Sequence, residues 1–138
     1  MSAAAPDAQQ QQLLLDTHAL LWWLAEPERL SPPAYAAIAE TSNHVFVSAA
    51  SAWELATKVR LGKLSVAEPL LNDLPVLLSN QGFTLLPVTF SDGLRAGSYP
   101  QAHRDPFDRL LAAQAELQHL ALVSVDPALQ LFPCRLLW

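Results

Sequence analysis

Four of the thirteen carboxylate side chains in this 138-residue chain sit where a fold can gather them: Asp16, Glu54, Asp108 and Asp126. Asp16 closes the apolar run LLLD and Asp126 closes LVSVD, while Glu54 lies within ASAWELATKV and Asp108 within DPFDRLLAAQA. Each acid alone is explained by helix capping or by the helix dipole. Asp108 is harder to explain that way, because it shares a stripe with Leu111, Ala112 and Ala115 that should face the core, where a bare carboxylate is costly. Several carboxylates in one place repel one another and hold protons unless a positive charge compensates them. A divalent ion would supply that charge. Magnesium and manganese favour carboxylate and water oxygens, and such ions lower the pKa of a bound water and polarise phosphoryl oxygens. The four acids therefore point to phosphodiester hydrolysis. His18, His44, His103 and His119 show no paired spacing for zinc, and no Gly-rich phosphate loop, C-x-x-C pair or G-x-S-x-G elbow competes.

For the acids to meet, the elements carrying them must end on one side. Short, continuous apolar runs at 13–15, 45–47, 84–88 and 121–125 read as strands buried on both faces, with a short edge strand at 134–137. Helical patterns fall between them. One is capped by Ser31, starts on Pro32 and Pro33, and ends near Asn43; one carries Ala52, Leu55, Ala56 and Val59 and stops at Gly62. Another follows Pro69 to Gly82, kinked or divided by Pro75, and the last runs from Asp105 or Pro106 to about His119. The stretch from 91 to 106 reads as the longest loop. Strands alternating with helices predict an α/β fold with a mostly parallel sheet. Asp16 and Asp126 then follow strands at the carboxyl edge, Glu54 lies in the first turn or so of a helix leaving that edge, and Asp105 and Asp108 open a helix there.

Size and 51% hydrophobic content suit one domain, expected over 13–138, with the Ala/Gln-rich segment 1–12 read as a disordered tail. No apolar run reaches membrane-spanning length and no secretory signal is visible, so a soluble, cytoplasmic protein is expected. The lone Cys134 fits a reducing compartment and reads as a small apolar filler. A net charge of -5 argues against a broad basic surface for nucleic acid. Local contacts stay open: Lys58, Arg60 and Lys63 follow Glu54, and Arg104 and Arg109 flank Asp105 and Asp108. Of these, Lys58, Arg104 and Arg109 are candidate contacts to the phosphates of a nucleic acid such as RNA, although solvated helix charges or ion pairs to the nearby acids are their first reading.

With those residues in view, the chain resembles the PIN domain family, and within it the VapC-like toxins of type II toxin-antitoxin systems. The matching motifs are LLLDTHALLWWL, VSAASAWELATKVRLGKL, HRDPFDRLLAAQA and LVSVD, in that order from Leu13 onwards. The resemblance implies a three-layer α/β/α sandwich and a magnesium- or manganese-dependent endoribonuclease. It places Asp16, Glu54, Asp108 and Asp126 in the metal-binding acidic cluster. Asp108 fits the family register better than Asp105, which becomes auxiliary as a cap or outer-shell group. Thr17 and Ser124 match positions of small hydroxyl residues near the acids, either bonding to them or capping turns. The resemblance also implies a cognate antitoxin that docks apolar side chains in a groove, and homodimers. Trp22, Trp23 and Leu24 are candidates for that groove, while packing on the core face of the first helix is the first reading of at least one tryptophan, since adjacent helical residues cannot both point the same way. A DNA nuclease, a phosphatase and a non-catalytic binding module remain alternatives.

Overall fold

The computed structural model describes residues 10–138. Most of the segment expected to be a disordered tail, residues 1–9, lies outside the described residues. Its last members belong to the fold, however. The Gln11 amide donates to Asn43 Oδ1 over 2.9 Å, the His44 amide donates to the Gln11 carbonyl over 2.9 Å, and the first strand opens at Gln12. The folded part thus starts ahead of Leu13, because the neighbouring strand offers these glutamines backbone partners.

Five strands form one parallel sheet in the order β3-β2-β1-β4-β5: β1 Gln12–Leu15, β2 His44–Ser48, β3 Thr84–Leu86, β4 Ala121–Val123 and β5 Arg135–Leu137. The third strand is shorter than the apolar run 84–88, since Pro87 has no N–H for the ladder. The fourth stops before Ser124 and Val125, where the chain turns towards Asp126.

Seven α-helices are found among the described residues: α1 Thr17–Ala25, α2 Pro32–Ala39, α3 Ala49–Arg60, α4 Glu68–Leu71, α5 Leu74–Asn80, α6 Phe90–Ser98 and α7 Pro106–Gln118. Ser31 caps α2 as expected, and Gly62 adopts φ 76 just beyond α3. The segment after Pro69 is divided into α4 and α5, with Pro75 inside the first turn of α5. The expected loop 91–106 is a correction, because much of it is α6. Thr89 and Asp92 form a reciprocal capping box that starts this helix, leaving a connection of 99–105.

The helices cover both faces of the sheet, giving the expected α/β/α sandwich. Leu13 and Leu15 of β1 and Val123 of β4 pack with Leu20, Ile38, Leu55 and Leu74 on one face. Leu14 and Leu122, pointing the other way, pack with Leu111, Ala112, Ala115 and Leu129. Alternation along strands buried on both sides explains why these runs are apolar at every position.

Candidate active site

The chain runs outward from β1 through β2 to β3, then crosses back to place β4 on the other side of β1. The carboxyl ends of β1 and β4 are therefore the switch point, where a crevice opens because successive connections leave in opposite directions. Asp16 and Asp126 stand there. The Asp16 amide donates to the Val123 carbonyl over 3.1 Å, which ties its backbone to the end of β4. Its side chain caps α1 by accepting the Ala19 N–H over 2.8 Å, and the residue is buried. Asp126 caps the 3-10 turn Pro127–Leu131 through the Ala128 N–H at 2.9 Å. Ser124 serves both: its hydroxyl accepts the Asp126 N–H over 3.1 Å, and it lies beside the Asp16 carboxyl, where it opposes the rise in pKa.

Ser48 caps α3 at the end of β2. Glu54 lies at the start of the second turn of that helix, close to the first turn or so expected, and is buried against α1. Thr17 donates to its Oε1 over 2.5 Å and Lys58 to its Oε2 over 2.6 Å. The Thr17 hydroxyl also lies 3.2 Å from Ser51 Oγ. The two expected hydroxyl residues thus both touch site acids.

Asp105 caps α7, accepting the Phe107 and Asp108 N–H groups at 2.9 and 3.2 Å, so it is the helix cap of the two auxiliary roles considered. Asp108, three residues on, turns inward, and Oδ2 lies 2.9 Å from His103 Nε2. Nothing in the sequence assigns that histidine a role. A separation of five residues across an irregular loop leaves no periodic signal, so only the closure of residues 99–105 reveals the contact.

Electrostatics ties the four acids together. Burial pushes the Asp16 carboxyl up to about 6, and the charges of Glu54 and Asp126 push the same way, against hydrogen bonds from Ser124 and Ala19. Burial likewise pushes Asp108 up to about 6, aided by Asp105 and Glu54 and opposed by His103. Among the described residues, Asp16 and Asp126 have no ion-pair partner, and no three His, Cys, Asp or Glu side chains form a ready-made ion cage. The acids are grouped near the carboxyl ends of β1 and β4, and among the described residues they do not form the tight ligand set that four clustered carboxylates suggested.

The basic candidates separate. Arg109 is corrected as an RNA contact: its guanidinium points inward and donates to the carbonyls of Ala96, Tyr99, Gln101 and His103 over 2.7 to 2.9 Å. Lys58 takes the ion-pair role with Glu54, while Arg104 is exposed. Trp22 and Trp23 diverge, as adjacent helical residues must. Trp22 lies near Trp138 under Arg29, and Trp23 packs by Tyr35 and Phe83 and donates to Gln81.

A parallel sheet with acids gathered at its switch point defines the class of site, and comparison with known proteins gives the family. The PIN domain model matches residues 13–132, and the chain belongs to the PIN domain family. Ribonuclease VapC22 of Mycobacterium tuberculosis (strain ATCC 25618 / H37Rv) is 35% identical over 119 residues, spanning 86% of this chain and 89% of that protein. Two solved structures share the fold. VapBC2 from Rickettsia felis, bound to a DNA fragment from their promoter, superposes with a TM-score of 0.68 at 17% identity, over 93% of this chain and 99% of that one. PAE2754 from Pyrobaculum aerophilum gives 0.54 at 19%, over 92% and 83%.

Proposed function

We propose that this protein is a divalent-metal-dependent endoribonuclease and the toxin of a type II toxin-antitoxin pair. The observation that carries this reading is the gathering of Asp16, Glu54, Asp108 and Asp126 at the switch point, with two of the carboxyls raised to about 6. The ribonuclease name of the M. tuberculosis relative supports RNA as substrate, and its VapC name supports a cognate antitoxin.

Asp16, Asp108 and Asp126, with Glu54 beside them, would hold magnesium or manganese, since every donor is a hard oxygen and, among the described residues, Asp16 and Asp126 have no ion-pair partner. Such an ion supplies a lowered pKa for a bound water and charge for the phosphoryl oxygens. The chain's own residues do the positioning. Thr17 and Lys58 fix both oxygens of Glu54, Ser124 fixes Asp16 relative to Asp126, and His103 and the Asp105 cap fix Asp108. Hydrolysis adds water to phosphorus and breaks the bond to the 3′ oxygen, leaving a 3′-hydroxyl and a 5′-phosphate. No side-chain nucleophile is required. A homodimer and an antitoxin that covers the site complete the proposal. Trp23 and Leu24 line a recess with Pro27, Tyr35, Leu70 and Leu77 that offers apolar surface to such a chain. No helix among the described residues is long and apolar enough to cross a membrane, which accords with the cytoplasmic setting proposed here.

The test is cleavage of RNA, with DNA of the same sequence as a control, in magnesium or manganese. Asp16→Asn and Asp108→Asn keep shape and remove a charged oxygen donor. Each should lower the rate at least about 100-fold, as loss of several kcal/mol of charge stabilisation requires. Full activity in both, or in excess chelator, overturns the proposal.

A further inference from the structure

We infer that Trp53 and Phe107 form a stacking shelf for an unpaired RNA base next to the bond being cleaved. This inference rests on the ribonuclease reading and deepens it. Each aromatic immediately precedes a site acid: Trp53 comes before Glu54 on α3, and Phe107 before Asp108 on α7. The two rings meet edge to face with centroids 4.7 Å apart, so they bridge the helices at the rim of the acid cluster. The helices α3 and α7 that carry the two acids pack against each other, and the charge of Glu54 reaches Asp108.

Trp53 is nevertheless 57% exposed. A large apolar ring left in water next to a site acid in the chain, and packed against an aromatic partner that also adjoins one, has the form of a binding surface. Charge alone is a poor source of RNA affinity here. Of the eight Lys and Arg residues, Arg29, Lys58 and Arg95 are in ion pairs and Arg109 is spent on backbone carbonyls. The chain still carries a net charge of -5. Stacking does not depend on phosphate neutralisation, tolerates any base, and uses the flat surface that Trp53 presents. An unpaired nucleotide held on the shelf brings its phosphate towards Glu54 and Asp108.

The experiment measures cleavage of an unstructured oligoribonucleotide in magnesium by the full chain and by Trp53→Ala, Trp53→Phe and Asp108→Asn. Loss of one stacked base should raise KM about tenfold in Trp53→Ala, within the roughly 5- to 150-fold range for a single stacking contact. The change in kcat should be smaller, the KM increase should persist at high salt, and Trp53→Phe should restore most of the affinity. A 2-aminopurine oligoribonucleotide bound to the Asp16→Asn protein should lose emission on stacking, and lose less when Trp53→Ala is added. A KM within twofold of wild type in Trp53→Ala overturns the shelf, as does a defect that Phe does not rescue. Normal cleavage by Trp53→Ala with escape from antitoxin inhibition assigns the pair to a protein partner instead. If the wild-type chain neither binds nor cleaves RNA, the ribonuclease reading itself fails, and Asp108→Asn then matches wild type.

Discussion

Thr17 and Glu54, 37 residues apart in the chain, are joined by a buried hydrogen bond of 2.5 Å from the threonine hydroxyl to Oε1. The bond links the helix leaving β1 to the helix leaving β2, and Lys58 holds the other oxygen. Thr17→Val keeps the shape and removes the donor. It should lower stability by about 1–3 kcal/mol in urea unfolding, because a buried acceptor loses its partner. Cleavage should fall about 10- to 100-fold, the usual effect of removing an outer support. Thr17→Ser should recover most of both; a serine variant as impaired as valine would show that the methyl group matters and the hydroxyl does not.

Asp16 and Asp108 predict an unusual pH dependence for the ion-free protein. Their ordinary value is 3.8 and burial raises both to about 6, so the folded state holds these protons more tightly than the unfolded chain. The contribution to stability is therefore fully present below about pH 4 and is lost as pH rises through 6. A shift of two units amounts to about 2–3 kcal/mol for Asp16. In chelator, urea unfolding should show this loss between pH 4 and 7. Asp16→Asn carries no charge and can still cap α1, so it should flatten the profile and be more stable than wild type at pH 7. Added magnesium should stabilise the wild type more at pH 7 than at pH 5. An unchanged slope in Asp16→Asn would refute the assignment.

Asp105 and Asp108 are three residues apart and have different tasks. Asp105→Ala removes the cap of α7 and should lower the unfolding free energy by about 1 kcal/mol. Its cleavage rate should stay within about tenfold of wild type, since the bonds it loses are to backbone. Asp105→Asn should restore stability. Asp108→Asn should do the reverse, with stability at pH 7 kept or raised, as for Asp16→Asn, and a severe loss of rate. Equal losses of rate at both positions would place Asp105 in the site.

Arg109 belongs to the architecture of the site. Its guanidinium gathers carbonyls from α6 and from the 99–105 connection, which presents His103 to Asp108. Arg109→Ala leaves several of these acceptors without a donor and should lower stability by about 3 kcal/mol or more. Lysine cannot reproduce the planar fork and should recover only part of it. Exposed Arg104→Ala should leave urea unfolding within about 0.5 kcal/mol of wild type. A weakly perturbed Arg109→Ala would contradict the brace.

The sequence by itself determined the strands, the two-sided burial of the sheet and the position of three acids relative to it. Runs such as LLLD and LVSVD permit few other structures, because an unbroken apolar run ending in a polar turn residue reports a buried strand and its carboxyl end at once. The start of α6 is not read from the sequence: its capping pair, Thr89 and Asp92, is local, but the glycines at 93 and 97 and the prolines that follow make the stretch resemble a loop. Only tertiary structure could decide the rest. Whether Arg109 faces solvent or carbonyls, whether His103 reaches Asp108, and how deep Glu54 lies are set by contacts between residues on different elements. Side-chain type and spacing along one element do not specify them. The acid cluster is the case where both meet. Local sequence put Asp16, Asp108 and Asp126 near element ends, and the reversal of strand order between β1 and β4 brought the ends of those two strands side by side.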